Sequence, residues 1–250
     1  MKSIQDNFSN QSQFYKKYRP TYPPEIYQEL MLCVKSRNQC WDCGTGNGQV
    51  AAQLASYFTM VFATDVSQNQ LDSAQRKENI IYSVERAEQT SFADNQFDLI
   101  TVAQAIHWFD VEAFHQEVKR VGKNGGIISI WGYGLLRIEP EVNALIDKFY
   151  YEIVGPFWDK ERRHIDNSYA SIPFDYKEIP AKKNKSIRTS WTIEQLAGYF
   201  NSWSSVQHFI KANTYNPVDE IISKIKGVWK SSDRKEVQFP IFMKIGEIEK

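Results

Sequence analysis

The chain has 250 residues, 42% of them hydrophobic, which is enough for one well-filled α/β domain with an insertion and short for two independent ones. Its 30 basic and 30 acidic residues cancel, leaving no electrostatic footprint for DNA or RNA, and no apolar run approaches the length of a membrane span. Three cysteines, an odd number, argue against a disulfide framework, and the polar opening Met1-Lys2-Ser3-Ile4-Gln5 does not read as a signal peptide, so the expected setting is cytoplasmic.

In chain order, Pro23-Pro24 introduce a short helix over 26–34, with proline in the tolerated first turn. A first strand over 39–43 runs through a glycine loop into a helix over 47–57, and a second strand follows at 60–65. Ser67 starts a polar helix over 68–78, then come strands at 80–84 and 97–102. A helix over 111–121 is closed by Gly122, and a fifth strand spans 127–131. Strands alternating with helices at this spacing mean βαβ units and a parallel sheet. The regularity lapses afterwards. A helix over 140–153 is broken by Gly155-Pro156, a strand lies near 174–179, helices near 192–202 and 217–229, and a last strand at 237–244. Residues 133–172 and 192–230 read as a cap over the carboxyl ends of the strands, where open α/β sheets bind ligands.

The glycine loop is the most informative passage. Asp42 stands two places before the first of three glycines, Gly44, Gly46 and Gly48, spaced G-x-G-x-G, and a second acid, Asp65, ends the next strand. Glycine lets a ligand approach the backbone, and an acid at the tip of the second strand is placed to accept both ribose hydroxyls of a nucleoside. A dinucleotide site would use G-x-G-x-x-G and aim a helix N-terminus at a pyrophosphate. Here the third glycine comes one residue early, and the Asp42 carboxylate would repel phosphate but suits an ammonium group. Cys40 and Cys43 form C-x-x-C, yet the four histidines (107, 115, 164, 208) are too scattered to complete a zinc site, so the pair reads as small apolar fillers of a buried strand and no metal is expected.

Asp42 to Gly48 resembles motif I of the class I S-adenosylmethionine-dependent methyltransferases. Ala103-Gln104-Ala105-Ile106-His107-Trp108-Phe109-Asp110 resembles a signature of the methyltransferase type 11 group, notably its trans-aconitate methyltransferase-like branch. Arg19-Pro20-Thr21-Tyr22-Pro23, the pair Ala87-Glu88 and Ser202-Trp203-Ser204 are similar to further marks of that branch, in the same order. The resemblance implies a doubly wound sheet in the order 3-2-1-4-5-7-6, with the strand at 237–244 antiparallel, under a mostly helical cap. It divides the chain into a leader and helix (1–36), a cofactor-binding core (37–132), and a cap with the last two strands (133–250).

By the same resemblance, Gly44, Thr45, Gly46 and Gly48 shape the loop under the methionine part of S-adenosylmethionine, and Asp42 helps orient it. Asp65 holds the ribose, Val66 and Gln70 flank the adenine, and Ala87 and Glu88 meet its far edge. Gln104 lies beneath the sulfonium, His107 and Trp108 line the mouth of the transfer site, and His107 is the plausible general base there. Tyr15, Tyr18 and Arg19 belong to a leader expected to close over the cofactor as a lid, Arg19 pairing with a carboxylate of cofactor or acceptor. Tyr133, Arg137, Trp158 and Trp203 are substrate-side candidates, with Arg162 as a further cation. Two positions depart from the pattern: Arg86 stands where Asp is common, and Gln70 replaces an apolar residue. The implied activity is methylation of a small-molecule acceptor, through a carboxylate or hydroxyl, by a monomer or homodimer that binds neither nucleic acid nor membrane. The alternative is a non-catalytic S-adenosylmethionine-binding sensor.

Overall fold

Short apolar runs alternating with helix-forming stretches fold into a doubly wound sheet in the computed structural model, which describes residues 19–229 and 234–250. Strands β1 (Gln39–Cys43), β2 (Met60–Asp65), β3 (Ile80–Val84), β4 (Phe97–Ala103) and β5 (Gly122–Tyr133) pair in parallel in the order β3-β2-β1-β4-β5. The sheet then continues with β8 (Lys235–Glu247) and β6 (Lys177–Ile179), β8 running antiparallel to both neighbours. This is the expected seven-strand order, with β8 in the place of the strand expected at 237–244.

Side-chain alternation along the strands builds two cores. On one face Cys40, Val61, Leu99 and Trp131 pack against Ile26 and Leu30 of α1 (Pro24–Cys33) and Val50 and Leu54 of α2 (Gln49–Leu54). On the other, Trp41, Ile100, Val102, Ile128 and Ile130 meet Phe114, Val118 and Val121 of α4 (Val111–Val121), a buried stripe at helical spacing. Asp110 caps α4 by accepting from Ala113 N, and Lys119 and Arg120 sit in its last turn, where the helix dipole favours cations. Cys40 and Cys43 fall in opposite cores, so the sheet itself separates the two thiols.

Several boundaries differ from the sequence expectation. The polar helix α3 covers only Gln68–Asp72, because the Ser73 hydroxyl and the Arg76 guanidinium take the carbonyls of Gln70 and Leu71 at its end. An extra strand, β7 (Ser186–Trp191), pairs with the first half of β8, from Lys235 to Pro240, while the second half of β8 pairs with β5. An extra helix, α8 (Ser204–Asn213), joins α5 (Pro140–Lys148), α7 (Ile193–Asn201) and α9 (Pro217–Val228) around a third core, whereas the short α6 (Arg162–Asp166) packs Ile165 into the core beside Phe114. The chain expected to continue α5 winds instead as a π-turn over Phe149–Ile153.

β8 ties this cap to the sheet. Phe239, fully buried, meets the rings of Tyr133, Trp191 and Tyr199. Phe239→Ala is expected to cost about 3–5 kcal/mol of stability in urea unfolding. A loss within about 0.5 kcal/mol would show that this ring does not anchor the cap.

Candidate active site

The carboxyl end of β1 turns into α2 through Gly44, Gly46 and Gly48, all at positive φ (66°, 55° and 75°). Two of these leave no room for a side chain. A Cβ on Gly44 would lie 2.6 Å from the Ala105 Cβ, and one on Gly48 would collide with the Tyr82 hydroxyl. Thr45 N donates to Thr64 O at 2.9 Å, holding the loop against β2.

Asp42 is 1% exposed at the end of β1. It accepts from the Thr45 hydroxyl at 2.5 Å and the Thr101 hydroxyl at 2.8 Å, and it has no ion pair among the described residues. Burial pushes its pKa up to about 6, against the lowering effect of those hydroxyls, and Asp65 nearby adds to the rise. Asp65, at the end of β2, accepts from Gly46 N at 2.8 Å and Ser67 N at 2.9 Å. These bonds fix the carboxylate beside the loop.

Beyond the strand ends lies a cavity of about 200 Å³. It brings together Arg19, Asp42, Gly44, Thr45, Gly46, Asp65, Val66, Gln70, Ala87, Gln104, Trp108 and Tyr133 from the sequence-derived set. Gln104 sits at φ 56°, and its side-chain amide bonds both backbone groups of Tyr133, accepting from N at 3.0 Å and donating to O at 3.3 Å. It thereby extends the β4–β5 pairing by one step and fixes Tyr133, whose hydroxyl accepts from Arg19 at 3.1 Å. The Arg19 guanidinium also donates to Ser202 O and lies over the Tyr199 ring at 5.6 Å.

Other sequence-derived residues lie elsewhere. Gly48 caps α2 behind the loop rather than lining the cavity. Glu88 is engaged by Asp110 N at 2.9 Å and by Arg86, so it serves the loop before α4. His107 is not in the cavity wall: its ring is buried, with Nδ1 2.9 Å from the Tyr169 hydroxyl, which takes away its proposed place as base at the mouth. Arg137 pairs with Asp147 at 2.6 Å on the outside of the cap. Trp203 is core, packed on Phe149, Tyr150, Trp158, Tyr199 and Phe200, and Trp158 opens to a different depression. Tyr15 and Tyr18 lie outside the described residues, as does nearly all of the leader assigned as a lid. Sequence reasoning missed Glu85, which lines the cavity just past β3 and accepts from Ser91 N at 2.7 Å. Its signal was present, since like Asp65 it is an acid at a strand tip.

Three acids and one cation, Arg19, therefore face the cavity among the described residues. That balance suits a ligand bearing an ammonium and a second positive centre. Asp42, buried with its pKa raised, is the group that such a cation would relieve, and the Gly44 turn keeps the backbone open to it. The residues thus fit S-adenosylmethionine. Among the described residues, no group of three or more His, Cys, Asp or Glu is gathered to hold a metal, and no helix is long and apolar enough to cross a membrane.

A doubly wound sheet with an antiparallel penultimate strand, a glycine turn and acids at the strand tips defines a Rossmann-like methyltransferase. The chain belongs to the S-adenosylmethionine-dependent methyltransferases, and residues 41–130 match the type 11 family model described as a methyltransferase domain. A Dictyostelium discoideum protein assigned as a methyltransferase is 36% identical over 95% of this chain and 93% of its own. A Saccharomyces cerevisiae protein assigned as an S-adenosylmethionine-dependent methyltransferase is 24% identical, with 91% of each chain covered. Among solved structures, an Anaeromyxobacter dehalogenans protein described as a type II methyltransferase superposes with a TM-score of 0.86 at 32% identity, over 93% of this chain and 99% of that one.

Two expectations follow for cofactor binding. In the free protein, Asp42 retains its proton between its ordinary 3.8 and about 6, so its ionisation costs folding stability as pH rises through that window. A bound ammonium favours the ionised form. Affinity for S-adenosylhomocysteine should therefore rise close to tenfold per pH unit below about 6 and level off above it. Calorimetry on Asp42→Asn should find this dependence gone, and an equally steep profile in the variant would remove Asp42 from the linkage. Asp65→Ala should weaken binding by about 1.5–3 kcal/mol, the range for hydrogen bonds to a charged group. Unchanged affinity would place the ribose elsewhere.

Proposed function

We propose that this methyltransferase acts on a small molecule, on a carboxylate or hydroxyl oxygen, with the carboxylate as the better fit. The observation that carries this reading is the make-up of the cavity wall: its described residues include no histidine or lysine, while Arg19 and Tyr133 meet on the cap side. A carboxylate oxygen attacks without losing a proton, so it needs no base. An arginine held by a phenol suits its charge. The finer placement, in the trans-aconitate methyltransferase-like branch, rests on the sequence resemblance.

When bound, S-adenosylmethionine supplies a methyl group on a sulfonium, a leaving group that is already positive. The chain's own residues bind, orient and exclude water. Asp42 meets the ammonium, Asp65 the ribose hydroxyls, and Val66, Gln70 and Ala87 the adenine. Trp108 and Phe109 wall the cavity against solvent, and Gln104 holds Tyr133 in place beside Arg19. Alignment of this kind is worth up to roughly 7–11 kcal/mol of barrier when well oriented.

The test is turnover of S-adenosylmethionine with a panel of small carboxylic acids and alcohols, following S-adenosylhomocysteine and methylated product by mass spectrometry. The expected outcome is a methyl ester, formed at a rate flat in pH above 7, since no base must first lose a proton. Ether products alone would favour the hydroxyl. Intact S-adenosylhomocysteine binding with no product from any acceptor would favour the sensor.

A further inference from the structure

A second depression opens in the cap, away from the cavity, lined by Tyr150, Tyr151, Trp158, Arg162 and their neighbours. Its floor is built around Arg162, whose side chain is 16% exposed. The guanidinium lies 4.7 Å from the Trp158 ring centre and 5.4 Å from that of Tyr150. Its Nε donates to the Tyr150 hydroxyl at 2.7 Å and stands 3.6 Å from Asp166. The two terminal amino groups make no hydrogen bond with any described residue. Trp158 Nε1, by contrast, is enclosed without a partner among the described residues. A buried polar group left so costs free energy that a ligand would recover.

Charge selects the ligand. Lys160, Arg162 and Arg163 set three positive charges against Asp159 and Asp166, a surplus of one. Both acids are already engaged, Asp159 by Ser204 and Asp166 by Tyr150. A surplus of one suits a singly charged anion better than a phosphate. The walls are aromatic, with Tyr151 58% exposed at the rim and set edge-on to Tyr150. Both tyrosines stand on the π-turn Phe149–Ile153, a helix irregularity that often marks functional sites. The planar fork of an arginine matches a carboxylate in two hydrogen bonds.

We propose that the cap carries a carboxylate-binding site in which the terminal amino groups of Arg162, backed by Trp158 and Tyr150, grip a carboxylate on an apolar or aromatic body. Tyr199, whose ring lies under the Arg19 guanidinium, is electrostatically linked to both sites. Burial and the neighbouring Tyr133 push its pKa up, and the Arg19 and Arg162 guanidiniums both oppose that rise, so it lies within electrostatic reach of each. The carboxylate can belong to the far end of the acceptor or to a separate effector molecule.

The probe is benzoate, titrated by tryptophan fluorescence and ligand-observed NMR into the full chain saturated with S-adenosylhomocysteine. Because no turnover is read, the result stands apart from whether the acceptor reading is right. Saturable binding is expected, weakened at least about tenfold by Arg162→Gln, a loss typical of a charged hydrogen bond. Arg162→Lys keeps the charge and loses the fork, and should also bind more weakly. Trp158→Phe should weaken binding less, and a thermal melt reports whether each variant remains folded. Succinate, glutarate and adipate distinguish the sources. Tighter binding with length that is lost in Arg19→Gln marks one molecule reaching the cavity, whereas indifference to Arg19→Gln marks a separate effector. Equal benzoate affinity in wild type and a folded Arg162 variant, absence of saturation, or tighter binding of inorganic phosphate would each overturn the proposal.

Discussion

A carboxylate buried at a strand terminus is the constraint around which this site is arranged. Asp42 is removed from water at the end of β1, where the hydroxyls of Thr45 and Thr101 and the backbone of Ala51 offset part of the cost. Thr45 lies in the glycine turn and Thr101 in the neighbouring strand β4, so solvating one carboxylate fixes the loop to the sheet. The incomplete compensation shows as a raised pKa. On the proposal that Asp42 meets the cofactor's ammonium, a bound cation would complete it and return that free energy on binding. Structure and affinity are therefore two readings of the same electrostatic term.

The second organising element is β8. Antiparallel to β5 over one half and to β7 over the other, it carries backbone hydrogen bonds from the cofactor sheet directly into the cap. Arg137 bridges to Gln238 on the same strand. The cap helices do not themselves wall the cavity. They reach it through Phe239 against Tyr133, and through Ser202 and Tyr199 around Arg19. A change in the cap is thus transmitted to the transfer site through Tyr133 and Arg19, two side chains joined by a hydrogen bond. Arg162 lies within electrostatic reach of Tyr199 in the same cluster.

The amino-acid sequence by itself determined the alternation of strands and helices through the fifth strand, the glycine turn and its two acids, and, through the family resemblance they carry, the cofactor. These are local matters: strands of period two between helices of period 3.6, and glycines where a turn requires positive φ. The pattern for β7 is present in the sequence, with Ile187 and Trp191 buried on alternating positions, as is the Val206, Phe209, Ile210 stripe of α8, but the elements expected from the sequence include neither segment. What only the tertiary structure decided was which side chains share a space. His107, beside a cavity-lining tryptophan in sequence, is turned into the core by the short 3-10 turn Ile106–Trp108 and held by Tyr169, sixty-two residues away. Glu88 is drawn to Asp110 N, whereas Glu85, three residues earlier, faces the cavity. Trp158 and Trp203 carry no mark that separates a cap core from an acceptor wall. Such outcomes depend on partners distant in the chain, and hydrogen bonding and packing between them are set by the fold as a whole.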